Sequence, residues 1–338
     1  MVHMKRMKSI FIFIACFLLL GIFTAFGGLR PVEERVVSNQ TGAFADSQPA
    51  GDVLVEDQPE NVSIQWFNIP EPEAMQGVAL VIHGLNLHPD RMGPVIENLN
   101  RSGIDVLGLS LRGHGANYDP RDGMDADEAR LETFKNVSFT LWLNEAYLAY
   151  LQVQKRARQQ NVPVFLSAFS IGGLIGLDLL ISNRDVHFDK MVLLAPALSL
   201  HATVYLERIL SPFPHLVIPS LADDAYLANK KGTPVAAYNA LFEALNHFEE
   251  NAGSKLNVPT LIFIDKQDEF IPLRGLKELV QAFRLDQWRF YIVQKEEGME
   301  AGTFHHHILD ASSTGEGVWQ DMMAAVTEHL IGVQENKP

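Results

Sequence analysis

Cysteine is almost absent: Cys16 is the only one in 338 residues. No intramolecular disulfide can form, and a thiol nucleophile is excluded for a mature chain that has lost its N-terminal segment. Basic residues are in deficit as well. Lys and Arg number 27 against 41 Asp and Glu, a formal net charge of -14. An acidic surface argues against nucleic acid and against anionic lipid as general partners. No Cys or carboxylate spacing matches the histidines in the way a metal centre needs, so no metal is expected. No internal repeat is present. What remains is a globular composition, 47% hydrophobic and 20% charged, with ample material for one large core.

The N-terminus stands apart. Lys5, Arg6 and Lys8 precede residues 10–26, a run without a charged residue, and Gly27, Gly28 and Arg30-Pro31 end it. A basic flank before an apolar run is the pattern of an export signal. The run falls slightly short of the about 20 residues of a membrane span. Ala25-Phe26-Gly27 offers small residues at a cleavage site. An uncleaved segment would leave the rest of the chain outside the cytoplasm by the positive-inside rule. Residues 1–29 are therefore expected to be a signal peptide or a membrane anchor. The chain is expected to be exported, to the envelope, the periplasm or the medium. Ile14-Ala15-Cys16 faintly matches a lipoprotein box, but residues 17–20 stay apolar where a mature lipoprotein turns polar. Residues 30–59 are polar and acidic and read as a linker.

From residue 60 onward, buried strands alternate with helices. A continuous apolar run at 77–83 reads as a strand covered on both faces, and 104–109, 164–169, 190–195, 260–264 and 288–293 read as further buried strands. Residues 62–68 alternate and predict an earlier strand. Residues 89–100, 131–158 and 318–331 predict helices. This order implies a doubly wound, mostly parallel α/β sheet. Active sites in such sheets lie beyond the carboxyl ends of the strands, so the residues that follow each strand carry the argument.

Residues 164–173 read as strand, sharp turn and helix, with Ser170 at the apex. Such a turn exposes one hydroxyl at the end of a sheet. The helix behind it offers unpaired N–H groups and a partial positive charge. Both suit a nucleophile. The usual form of this elbow is G-x-S-x-G; here Ala168 takes the first position, giving A-F-S-I-G.

The remaining strand ends supply candidate partners. His83-Gly84-Leu85-Asn86 follows the first buried strand, and its Gly lets backbone N–H groups turn toward a substrate oxygen. The N–H groups of Leu85 and Ile171 are the candidate oxyanion hole. His83, Arg112 and His114 read as structural. A carboxylate that holds an imidazole tautomer is offered by Asp268, in preference to Asp265. A base is offered by the run His305-His306-His307. His306 fits best, His307 remains the alternative base, and His305 is least favoured. The order Ser, acid, His is the one expected for this type of sheet.

With the Ser170 elbow, the His83-Gly84 turn, the stretch Leu109-Ser110-Leu111-Arg112-Gly113-His114-Gly115, the Asp268 loop and the late His306, the chain resembles the α/β-hydrolase superfamily. Within it, the likeness is to the monoacylglycerol lipase and lysophospholipase group, which includes serine aminopeptidase-like members. The resemblance covers roughly residues 60–335 and implies a core of residues 60–196 and 257–338, with a helical cap inserted at 197–256. It implies a serine hydrolase of carboxylic esters with a small-molecule or lipid-like substrate, no cofactor and no metal, and N-terminal membrane association if the apolar run is retained. A peptidase or thioesterase on the same triad, or a non-catalytic envelope binding protein of the same fold, are the alternatives. Acyl-chain length, head group and oligomeric state are not legible.

Overall fold

The computed structural model describes residues 62–70, 74–220, 222–298 and 304–332, all within one compact unit. The apolar run and linker expected before residue 60 lie outside the described residues. Among the described residues no helix is long and apolar enough to cross a membrane.

The strands are β1 (Ile64–Phe67), β2 (Gly77–Ile82), β3 (Ile104–Leu109), β4 (Val164–Phe169), β5 (Lys190–Leu194), β6 (Val217–Ile218), β7 (Thr233–Pro234), β8 (Thr260–Asp265) and β9 (Trp288–Val293). Seven of them form one sheet in the order β1-β3-β2-β4-β5-β8-β9. Within it only β1 runs antiparallel to its neighbour. Every residue of β2, β4 and β8 is buried, because helices cover both faces. That is why these strands are largely apolar, without alternation. The edge strands β1 and β9 are partly exposed and mix in polar residues.

The helices are α1 (Gly93–Arg101), α2 (Ala126–Phe134), α3 (Phe139–Gln160), α4 (Ile171–Ser182), α5 (Val235–Asn251), α6 (Leu273–Ala282), the single turn α7 (Ala311–Thr314) and α8 (Glu316–Ile331). α1 packs on α8, while α3, α4 and α5 pack together. The one helix expected over 131–158 is two. Ser138 starts α3 by accepting the Leu141 N–H at 3.2 Å, and Asp125 caps α2 on Glu128 N–H at 2.9 Å. The apolar periodicity continues across the break, so it hid a local N-cap. α4 is buried from Ile171 through Leu180. Its one charged residue, Asp178, meets His247 Nδ1 of α5 at 2.7 Å, which ties the two helices.

Between β5 and β8 the chain forms a 3-10 helix (Val204–Leu210), the antiparallel pair β6–β7 and then α5. The segment expected to be helical therefore also holds a small sheet.

The close packing that builds the elbow falls on Gly172. A Cβ there would press into the backbone carbonyl oxygens of both Ile82 and His83. Neither can retreat without breaking the end of β2. Gly172→Ala should therefore destabilise the fold by about 1–3 kcal/mol in chemical denaturation. A change below about 0.5 kcal/mol would contradict this packing.

Candidate active site

Ser170 stands between β4 and α4 at φ 53, ψ -120. A non-glycine residue there carries roughly 1–3 kcal/mol of backbone strain. Backbone hydrogen bonds hold it in place. Its N–H donates to Leu194 O at 2.9 Å, and its carbonyl accepts Gly173 N–H and Ala197 N–H, each at 3.0 Å. Ala168, where the usual motif has glycine, is fully buried in β4 between Ile82 and Leu193. Its methyl is accommodated, and the strict need for glycine lies at Gly172.

The hydroxyl faces one of the three adjacent histidines. His306 Nε2 lies 3.0 Å from Ser170 Oγ, and His306 Nδ1 lies 2.8 Å from Asp268 Oδ2. A carboxylate can only accept, so Nδ1 carries the proton and Nε2 is free to accept from the serine. Asp268 Oδ1 is occupied by the N–H groups of Phe270 at 2.9 Å and Ile271 at 2.8 Å. That leaves Oδ2 aimed at the imidazole. The three residues are nearly sealed from solvent, at 9%, 6% and 4% exposure for Ser170, His306 and Asp268. Phe270 adds its ring to the seal, set edge-on to His306 with the centroids 5.1 Å apart.

The other two histidines turn elsewhere. His305 Nδ1 donates to Asp265 Oδ2 at 2.9 Å, so the rival acid and the least favoured base form a pair of their own. The His307 ring stacks on Tyr226 at 4.6 Å and touches the Phe304 ring. Among the described residues no group of three or more His, Cys, Asp or Glu side chains is arranged to hold a metal ion.

The turn with Leu85 is clamped from both sides. His83 Nε2 accepts Leu111 N–H at 3.0 Å while its Nδ1 sits 2.8 Å from Gly84 O. His114 Nε2 accepts Asn86 N–H at 3.0 Å. The rings lie 4.6 Å apart. Burial keeps both neutral: His83 is pushed down to about 4, and His114 well below its ordinary value. Asn86 adds a link to Asn229, whose N–H reaches Asn86 Oδ1 at 2.8 Å. Both histidines thus work through backbone groups of two loops. Asn229, more than a hundred residues away in sequence, carried no local signal. Ile171 opens α4, so its N–H has no intrahelical acceptor. Among the described residues the Leu85 N–H has no hydrogen-bond acceptor either.

Burial also pushes His307 down, to about 3. An imidazole kept neutral in the fold takes up a proton more readily once unfolded. Its contribution to stability is full above about pH 6.5 and is lost as the pH falls toward the folded value. Each pH unit in that window costs up to about 1.4 kcal/mol for one such group. His307→Phe keeps the stack on Tyr226 and removes the titration. Its thermal midpoint should fall less than that of the wild type between about pH 6.5 and about 4; parallel curves would contradict the buried neutral imidazole.

Residues 73–223 match the family model described as serine aminopeptidase, S33. The AB hydrolase superfamily protein YisY of Bacillus subtilis is 27% identical over 118 residues, a match that spans 35% of this chain and 37% of that relative. Among solved structures, a soluble variant of the monoglyceride lipase of Saccharomyces cerevisiae, in complex with a substrate analog, superposes with a TM-score of 0.62 at 13% identity, covering 81% of this chain and 93% of the other. A Paleococcus ferrophilus monoacylglycerol lipase gives 0.56 at 18% identity, covering 80% and 98%. At such identities the likeness establishes the fold. The sheet order, the serine turn at the end of β4 and these matches agree: the chain is an α/β-hydrolase-fold protein that resembles the serine aminopeptidase-like and monoacylglycerol lipase group.

Proposed function

We propose that the chain is a serine hydrolase that cleaves carboxylic esters. The observation that carries this reading is the unbroken row Ser170 Oγ, His306, Asp268, with links of 3.0 and 2.8 Å. In the proposed reaction His306 Nε2 takes the hydroxyl proton as Ser170 Oγ attacks the ester carbonyl carbon. The carbonyl oxygen becomes an oxyanion, received by the N–H groups of Leu85 and Ile171. One such donor contributes about 2.7–4 kcal/mol of transition-state stabilisation. Collapse expels the alcohol, which takes the proton from His306 and leaves an acyl-serine. Water, deprotonated by the same imidazole, then releases the acid and restores Ser170. Asp268 holds the imidazole tautomer throughout.

A lipid-like ester is the substrate class we favour. Residues 197–256 fit an inserted cap, and Leu206, Ile209, Phe213 and Leu216 of that segment stay exposed. Enclosing an acyl chain beneath a cap contributes about 0.8 kcal/mol per CH₂. The named neighbours of the same fold include monoglyceride lipases. Amide hydrolysis on the same atoms is the second reading, favoured by the serine aminopeptidase description of the matched family model.

Purified protein should hydrolyse p-nitrophenyl esters, with a chain-length optimum that reports pocket depth, and leave peptide p-nitroanilides largely intact. The reverse preference would favour the second reading. Ser170→Ala should lower ester turnover by roughly 10³-fold or more and abolish labelling by a fluorophosphonate. His306→Ala should be inactive and His307→Ala active. A wild type that neither turns over esters nor takes the label defeats the hydrolase reading and leaves a binding protein of this fold.

We also propose that the chain is exported, on the basic flank and apolar run of residues 5–26. Fractionation of expressing cells should recover it from the envelope or the medium. Full-length chain confined to the cytosol would sink that placement.

A further inference from the structure

The loop that carries His306 has almost no structure of its own. Residues 304–310 belong to no helix or strand, and the loop's internal backbone bond is His307 N–H to Phe304 O at 3.1 Å. Yet the imidazole must meet Ser170 Oγ within a few tenths of an ångström. Two charged side chains supply the missing restraint. Glu269 Oε1 accepts the His305 N–H at 3.0 Å, and Oε2 accepts the His306 N–H at 3.1 Å. From the other side, Lys295 Nζ donates to Phe304 O at 2.7 Å and to His307 O at 2.8 Å. Four consecutive residues are thus gripped by four hydrogen bonds, each assisted by a full charge.

We infer that Glu269 and Lys295 are positioning residues for the base: they set the backbone of residues 304–307 and, through it, the approach of His306 to Ser170. The inference rests on the serine hydrolase reading proposed above. Glu269 follows Asp268 directly, so one turn after β8 orients the imidazole from Nδ1 and fixes its backbone at the same time. Lys295 lies two residues past the end of β9, which pairs with β8 up to Asp265 and Val293. Both jaws therefore grow from adjacent, hydrogen-bonded strand ends. Lys295 is buried, at 7% exposure. Burying an ammonium is costly unless it is well hydrogen-bonded, and its bonds among the described residues go to this loop.

The test uses the full-length protein and two readouts that a merely structural role would not move together. Glu269→Gln retains one acceptor oxygen but turns an amide NH₂ toward a backbone N–H. Lys295→Met removes both donors, and Lys295→Arg keeps two. Misplacing a reacting group by about 1 Å costs on the order of 100-fold. The rate of fluorophosphonate labelling of Ser170, and kcat on p-nitrophenyl butyrate, should each fall about 10- to 100-fold in Glu269→Gln and in Lys295→Met. KM should stay within about twofold, and Lys295→Arg should recover most of the rate. In the wild type the downfield proton resonance of His306 Nδ1 should be resolved, and it should broaden or vanish in Glu269→Gln. If Glu269→Gln fails to fold, the comparison of Lys295→Met with Lys295→Arg decides. A labelled wild type whose variants label at the same rate overturns the inference alone. A wild type that is not labelled overturns the hydrolase reading, and the inference with it.

Discussion

Ser170 occupies a backbone conformation that its own side chain disfavours, and the architecture around it exists to hold it there. Its φ of 53 turns the chain from β4 into α4 within one residue and leaves the hydroxyl at the tip. The strain, roughly 1–3 kcal/mol, is sustained by bonds to Leu194, Gly173 and Ala197 and by the contact of Gly172 with the end of β2. Leu194 and the Gly172 contact lie at the carboxyl ends of neighbouring strands, and Ala197 lies just past one. The parallel sheet is therefore the frame that makes a strained serine tolerable. It also brings together the loops that follow β2, β8 and β9, which hold Leu85, Asp268 and His306.

The same frame accounts for the distribution of imidazoles. Five histidines lie near these strand ends, and the surroundings of each are set by its partners. His83 and His114 stay neutral and tie backbone groups of two loops together. His305 pairs with Asp265, and His307 packs as an aromatic ring against Tyr226. Of the five, only His306 has a carboxylate on one nitrogen and a serine hydroxyl on the other. Geometry thus singles out one ring for contact with both the carboxylate and the serine, although three stand side by side in the chain.

Much of this was legible in the sequence where local pattern and tertiary environment coincide. Strands buried on both faces are apolar nearly throughout, so β2, β4 and β8 announce themselves. The serine turn is readable because its neighbours must be small, and Gly172 and Gly173 are. Asp268 was distinguishable from Asp265 by the Phe270-Ile271-Pro272 turn behind it, whose N–H groups do occupy one carboxylate oxygen. The periodicity over 131–158 concealed the Ser138 cap, because a cap is a single hydrogen bond and leaves the apolar rhythm intact. The choice between His306 and His307 could not be made from spacing alone. Adjacent residues in an irregular loop point in directions that only the surrounding bonds decide. Glu269 and Lys295 gave no signal, since an acid in a loop and a lysine after a strand are ordinary residues until both are found hydrogen-bonded to one segment.

The central claim is that the serine hydroxyl and the His306 imidazole act as one device. The most direct measurement compares kcat/KM on an activated ester for Ser170→Ala, His306→Ala and the double variant. Groups that work as a unit lose their contribution together. The account predicts a double variant no slower than the slower single variant. Losses that multiply would mean that the two residues contribute independently, and would contradict it.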